Sequence, residues 1–209
     1  MAQDCDLKQW LVKQSDTRAY QMAQMIDKQL LNDLPKQVAP CNKGRRAGAL
    51  SGAYDMGAGG FPVSITPANL LVKLAEASAV LDEMCVPAAD RFIVFPSQAK
   101  PVFYSSPLTN ACVSGLSKSP LFGGEIPNIA DFRILWTNNL PMRTESGRIA
   151  YTLPFGIKSA TGFHTQLKKT RMIEEDARTF GQYWQGLQLY GYKVLRPEAM
   201  GILYATFTV

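Results

Sequence analysis

The chain's 209 residues suffice for one large domain or two small lobes with a real core, and its 46% hydrophobic content is ordinary for a globular protein. A net charge of +5 tolerates contact with nucleic acid but is too small to argue for a dedicated nucleic-acid binder. No apolar run approaches the ~20 residues of a membrane span, and the mostly polar stretch from Gln3 to Gln9 does not read as a secretory signal. Cys5, Cys41, Cys85 and Cys112 are far apart and form no CxxC pair, so reduced thiols in a cytosolic setting are the expectation.

Asp4 to Leu34 carries neither Pro nor Gly and is the longest helical signal. Leu7, Leu11, Val12, Ala19, Met22, Ala23, Met25, Ile26, Leu30 and Leu34 fall on one half of its wheel. The split is imperfect, with Trp10, Tyr20 and Leu31 in the polar half. Asp4 or Asp6 is the expected cap and Pro35 the expected stop. A helix of this length is an ordinary amphipathic helix on a sheet, or the backbone of an extended, plate-like subunit. The glycine-rich stretch from Pro35 to Gly60 reads as a mobile loop or a surface arm. It holds a small basic cluster, Lys43, Arg45 and Arg46, whose plain reading is a solvated loop.

Phe61–Ile65 is a strand candidate. Thr66 then caps a helix with Pro67 in its first turn, and Leu70, Leu71, Leu74, Ala77 and Leu81 repeat at helical intervals through Met84. Arg91–Phe95 reads as a buried strand, and Ser97 as the cap of a short helix to Tyr104. Ser105–Gly124 reads as loop, with Gly123–Gly124 able to turn a hairpin. Phe132–Thr137 is a further strand and Met142–Gly147 a polar turn. Ile149–Ile157 and Ser159–Leu167 are two strands around a bend, with Phe155, Ile157 and Phe163 on their apolar faces. Glu174–Thr179 reads as a turn or short helix. Leu187, Leu189 and Val194 mark a long strand, and Ile202–Val209 a last β segment. Helix, strand and helix in this order indicate an α+β or α/β lobe.

The one histidine, His164, must serve any Ser–His–Asp or Cys–His mechanism, and it lies in an alternating strand pattern without a nucleophile motif around it. A plain sheet histidine is the simpler reading. Asp82–Glu83 end a helix and Glu174–Glu175–Asp176 sit in a polar turn; nothing in the sequence fixes either as an acid–base pair in a pocket. The expectation is therefore no catalytic residue, no cofactor site and no metal site, since a Cys-only zinc site would have to gather four widely spaced cysteines. Trp10, Trp136 and Trp184 read as core or interface residues rather than a base-stacking platform.

Four segments resemble tailed-bacteriophage major capsid proteins. LDEMCVPAADRFIVFPSQAKPVF resembles the family's helix ending in LDE, VP turn and Arg-aromatic strand leading to Pro. GGEIPNIADFRILWTNNLP resembles its glycine, short strand and F-x-[IV]-x-x-[ST]-N-x-L-P sequence. FGIKSATGFHTQLKK resembles its strand with a Lys-Ser-Ala bend, and LQLYGYKVLRPEAMGILYA its tyrosine-glycine strand followed by RPEA. The matches cover roughly residues 66 to 205 in the family's order. The resemblance implies an α+β fold of the phage-and-herpesvirus capsid lineage. Its peripheral lobe, with the long spine helix (residues 4–34) and a long β-hairpin, would comprise 4–65 and 147–179. Its axial lobe, a helix-flanked sheet, would comprise 66–146 and 180–209. It further implies a structural protein without enzymatic activity, assembling as hexamers and pentamers into an icosahedral shell around double-stranded DNA. Portal, scaffold or decoration proteins are possible partners, with non-specific DNA contact and no membrane. Family members place an N-terminal arm and an extended loop before the spine helix, where this chain begins almost at the helix. It thus reads as a processed, split or truncated coat protein, or one whose arm comes from elsewhere. Two other readings stand beside this one: a small cytosolic enzyme using His164 or a carboxylate pair, and a basic nucleic-acid-binding module using Lys43, Arg45, Arg46, Lys168, Lys169 and Arg171.

Overall fold

A computed structural model of the chain describes residues 2–107, 128–145, 147–173 and 183–208, with side chains at most of these positions. The expected Gly123–Gly124 hairpin, most of the Ser105–Gly124 loop and the Glu174–Thr179 turn lie outside the described residues.

The first element is α1, Ala2–Gln37, a 36-residue helix reaching about 54 Å. It starts before Asp4 and Asp6, so neither is its cap, and it runs through Pro35 rather than stopping there. A proline in the last turn forfeits only one backbone bond, and burial of Leu34 and Val38 on either side holds that turn against the core. Only Ile26, Leu31 and Leu34 of its described side chains are buried. Leu31 thus belongs to the core despite its place in the polar half of the wheel. Met22 and Met25 are exposed despite theirs in the apolar half.

The segment after α1 is neither a mobile loop nor a free arm. A 3-10 turn at Pro40–Asn42 buries Asn42, whose side-chain amide donates to the carbonyls of Glu198 (2.6 Å) and Met200 (2.9 Å). Ala47 bridges Tyr54, and the buried Met56 accepts from Tyr204 N–H at 2.8 Å. Gly57 passes so close to the Tyr204 carbonyl, at φ +76°, that a side chain has no room.

Then follow β1 (Val63–Ile65), α2 (Leu70–Glu83), β2 (Arg91–Phe95), a 3-10 turn at Ser97–Ala99 and α3 (Lys100–Ser105). Thr66 does not cap α2. Its N–H donates to Asn69 Oδ1 (2.7 Å) and Asn69 Nδ2 donates to the Ser64 carbonyl (2.8 Å), a turn that delays the helix to Leu70. Next come β3 (Arg133–Trp136), β4 (Met142–Glu145), β5 (Arg148–Ile157), β6 (Thr161–Ile173), β7 (Tyr183–Val194) and β8 (Met200–Phe207). The expected polar turn at Met142–Gly147 is mostly strand. β4 pairs antiparallel with β5, and its polar residues suit an edge with little to bury.

Two sheets result. Six strands form a mixed sheet in the order β1-β8-β5-β2-β3, with β4 beside β5; β1–β8 and β2–β3 are parallel and the remaining pairs antiparallel. β5 and β8 are its buried centre, with β8 reading as a near-continuous apolar run. Leu70, Leu74, Ala77 and Leu81 of α2 share one core with it, as does an aromatic group in which Phe103 meets Phe95 and Trp136 edge-to-face at 5.0 and 5.2 Å between centroids. The second sheet is the two-stranded ribbon β6–β7, with a bulge between Thr165 and Leu167.

Candidate assembly surface

Among the described residues the candidates His164 and Asp82–Glu83 lie apart from one another, on β6 and α2. His164 is exposed on β6 opposite Gly191, as a plain sheet histidine would be. Asp82 and Glu83 are committed to separate structural tasks. Asp82 Oδ1 accepts from Arg91 Nη2 at 2.6 Å. Arg91 is wholly buried, and its guanidinium also donates to Ser78 Oγ (2.8 Å) and the carbonyls of Pro87 (3.0 Å) and Val86. The arginine thereby ties the end of α2, the Val86–Pro87 turn and the start of β2, which gives the LDE…VP…R spacing a physical cause. Glu83 Oε2 accepts from the N–H groups of Leu50 (2.8 Å) and Ser51 (3.1 Å). Hydrogen bonding from Ser51, then from Leu50, holds its carboxyl below the ordinary range. Glu174, Glu175 and Asp176 lie outside the described residues.

The basic candidates do not form one described cluster. Lys43, Arg45 and Arg46 belong to the coil packed on β8, where Arg45 lies 5.2 Å from the Phe61 ring centroid. Lys169 and Arg171 are exposed on β6; the Lys168 side chain is outside what is described. Among the described residues no group of three or more His, Cys, Asp or Glu could hold a metal. No described helix is long and apolar enough to cross a membrane.

The distinctive feature is instead the ribbon and its helix. Tyr190 Oη donates to Gln29 Oε1 (2.7 Å), Tyr192 Oη to Asp33 Oδ2 (2.6 Å) and Val194 N–H to Gln37 Oε1 (3.0 Å). Four helical residues rise about 6 Å and two strand residues about 6.6 Å, so the 29/33/37 and 190/192/194 steps match rung for rung. Hydrogen bonds from Lys36 and then Tyr192 hold the Asp33 carboxyl below its ordinary value, and Asp33 in turn raises the Tyr192 phenol. Phe163 stacks on Tyr190, and Tyr190 on Tyr192, along this helix-facing side. Strand alternation turns Leu187 and Leu189 to the opposite side, where they are 59% and 52% exposed. Tyr20 and Met25 of α1 are likewise 66% and 71% exposed. Sequence reading placed the strands but not this exposure: leucines alternating with polar residues look the same whether they face a core or a neighbour.

Neither a protein-family model nor a curated protein sequence matches the chain. Solved structures do. Over 94% of its length the chain is similar to a capsid structure of the cyanophage P-SCSP1u (17% identity, TM-score 0.65). Over 93% it is similar to a structure from Mycobacterium phage Che8 (22% identity, TM-score 0.61), and over 94% to the mature capsid of bacteriophage PhiM1 (14% identity, TM-score 0.60). The α+β arrangement described above is thus the fold of phage capsid proteins. The chain spans 61–66% of the length of these three relatives' chains.

Proposed function

We propose that this chain is a structural protein, a major capsid subunit of a tailed phage, and that it has no catalytic role. The observation that carries the reading is the fold itself, shared along nearly the whole chain with phage capsid structures. A second observation agrees with it. A helix of about 54 Å, exposed from Thr17 to Met25 among its described side chains, and a ribbon with exposed leucines present apolar surface that suits contact with other subunits. In this reading copies join through heterologous contacts that close by rotation into hexamers and pentamers of an icosahedral shell around double-stranded DNA. Permanent contacts of that kind bury on the order of 2,000 Å² or more. In this reading α1 and the β6–β7 ribbon make the peripheral lobe and the six-stranded sheet with α2 the axial lobe, so β1 and β5, expected in the peripheral lobe at 4–65 and 147–179, fall with the axial one expected at 66–146 and 180–209. The ribbon's second strand, β7, is better grouped with the peripheral lobe, because its tyrosines bond to α1. The protein's place is the virion, after assembly in the host cytoplasm, with DNA touched non-specifically. Electron microscopy and mass photometry of the purified chain across a salt series test the reading. Rings, capsomers or shells are expected; monomers under every condition would overturn it.

A further inference from the structure

We propose that the helix-averse face of the β6–β7 ribbon is a docking surface for a second copy of this chain, and that it receives that copy's acidic stretch Glu174–Glu175–Asp176. The inference rests on the capsid-subunit reading and names the contact within it. A two-stranded ribbon needs a covering layer for stability. α1 supplies it on the side of Tyr190, Tyr192 and Val194. On the other side the register places His164 with Gly191, Leu167 with Leu189, Lys169 with Leu187 and Arg171 with Gln185, and Lys193 follows on the same face. Leu187 and Leu189 are more than half exposed there, and Lys169, Arg171 and Lys193 are exposed around them. Arg171 is held across the strands by its Nε–H bond to Gln185 Oε1 at 2.9 Å. None of the residues on this face is acidic.

Charge decides the occupant. Two such cationic faces repel one another, so a face-to-face pair of ribbons is disfavoured. An aliphatic pair flanked by cations fits a polypeptide carrying carboxylates better than a bare phosphate backbone, which offers leucines nothing. The chain supplies such a polypeptide. Immediately after the basic run of β6, Lys168, Lys169 and Arg171, come Glu174, Glu175 and Asp176. Basic and acidic stretches so close in sequence let each copy give an acidic segment to one neighbour and offer a basic face to another. That is the head-to-tail contact a closed ring requires.

Two charge-reversed variants test this, Lys169→Glu/Arg171→Glu and Glu174→Lys/Glu175→Lys/Asp176→Lys, each with far-ultraviolet circular dichroism to verify the fold. Mass photometry then compares self-association. Each variant alone is expected to need at least about tenfold more protein than the parent to form multimers, the usual scale for a lost interfacial charge contact. The equimolar mixture is expected to recover, because the acidic stretch of the first variant meets the basic face of the second, and the reverse. A Lys169→Glu/Arg171→Glu variant that multimerises like the parent overturns the proposal. So does a mixture that stays dissociated, which would mean that the stretch serves its own chain or another partner. Should charge reversal disturb the fold, Lys169→Ser/Arg171→Ser is the second probe. Its multimers should lose most of the parent's salt dependence, and an unchanged dependence overturns the proposal. A parent chain that never multimerises removes the capsid reading itself, an outcome distinct from all of these.

Discussion

Arg91 shows what a single residue does in this fold. Its charge is wholly buried while its partner Asp82 keeps most of its side chain in water. The guanidinium is therefore the group with most to lose. Arg91→Ala is expected to cost about 3 kcal/mol in urea unfolding, because the carbonyls of Val86 and Pro87 and the Ser78 hydroxyl lose their donor in the interior. Arg91→Lys should recover only part, since an ammonium cannot reach three directions from one plane. Gly201 is a steric case. A Cβ there would stand 2.2 Å from the Phe155 ring, and Phe155 is wholly buried. Gly201→Ala is expected to destabilise by about 1–3 kcal/mol through overpacking, seen as a lower denaturant midpoint without a change in slope.

Elements are joined by polar contacts that respond to pH and can be cut one at a time. Glu83 pins the turn at Leu50–Ser51 to the end of α2, and its carboxyl is depressed below the ordinary value of 4.5. A depressed carboxyl contributes stability that is fully present above the unfolded value and fades as pH falls through the folded one. The parent's melting temperature should therefore decline as the solution is acidified below about pH 4.5, and Glu83→Gln should flatten that decline. Along the helix–ribbon ladder, Tyr192→Phe removes the rung to Asp33. Amide hydrogen exchange in β7 is expected to speed up while that in β8 stays unchanged, because β8 is held by β5 and β1 rather than by α1. Equal acceleration in both strands would show that the ribbon is not a separate unit. The ladder was not legible in the sequence. Tyr190 and Tyr192 alternate as strand residues do, and nothing local says that their hydroxyls meet Gln29 and Asp33, far earlier in the chain.

The whole molecule is a mixed sheet with α2 on one core, and a long helix carrying a ribbon. The latter pair exposes Tyr20, Met25, Phe163, Leu187 and Leu189, while others such as Leu50, Phe61 and Met142 are exposed elsewhere. The proposed capsid role predicts association on this apolar surface: Leu187→Ser/Leu189→Ser is expected to leave the melting temperature almost unchanged while reducing multimers in mass photometry. A large loss of stability with unchanged assembly would place both leucines in the fold rather than the contact. These residues are more than half exposed already, so their removal costs the monomer little burial.

By itself the sequence determined the elements whose cause is local. Periodicity set α1 and α2, β-branched and aromatic runs set β2, β3, β5 and β8, and the order of four short segments carried the resemblance to phage capsid proteins. Tertiary structure decided what depends on partners distant in the chain. It carried α1 past Pro35, because burial of Leu34 and Val38 offsets one lost backbone bond. It turned the glycine-rich stretch after Val38 into packed coil, because Asn42 and Met56 find their partners on or beside β8. It made β4 a strand, because β5 offered it an edge. It also left Leu187 and Leu189 bare, because one helix can cover only one side of a ribbon, and which side is covered is settled by packing and not by pattern.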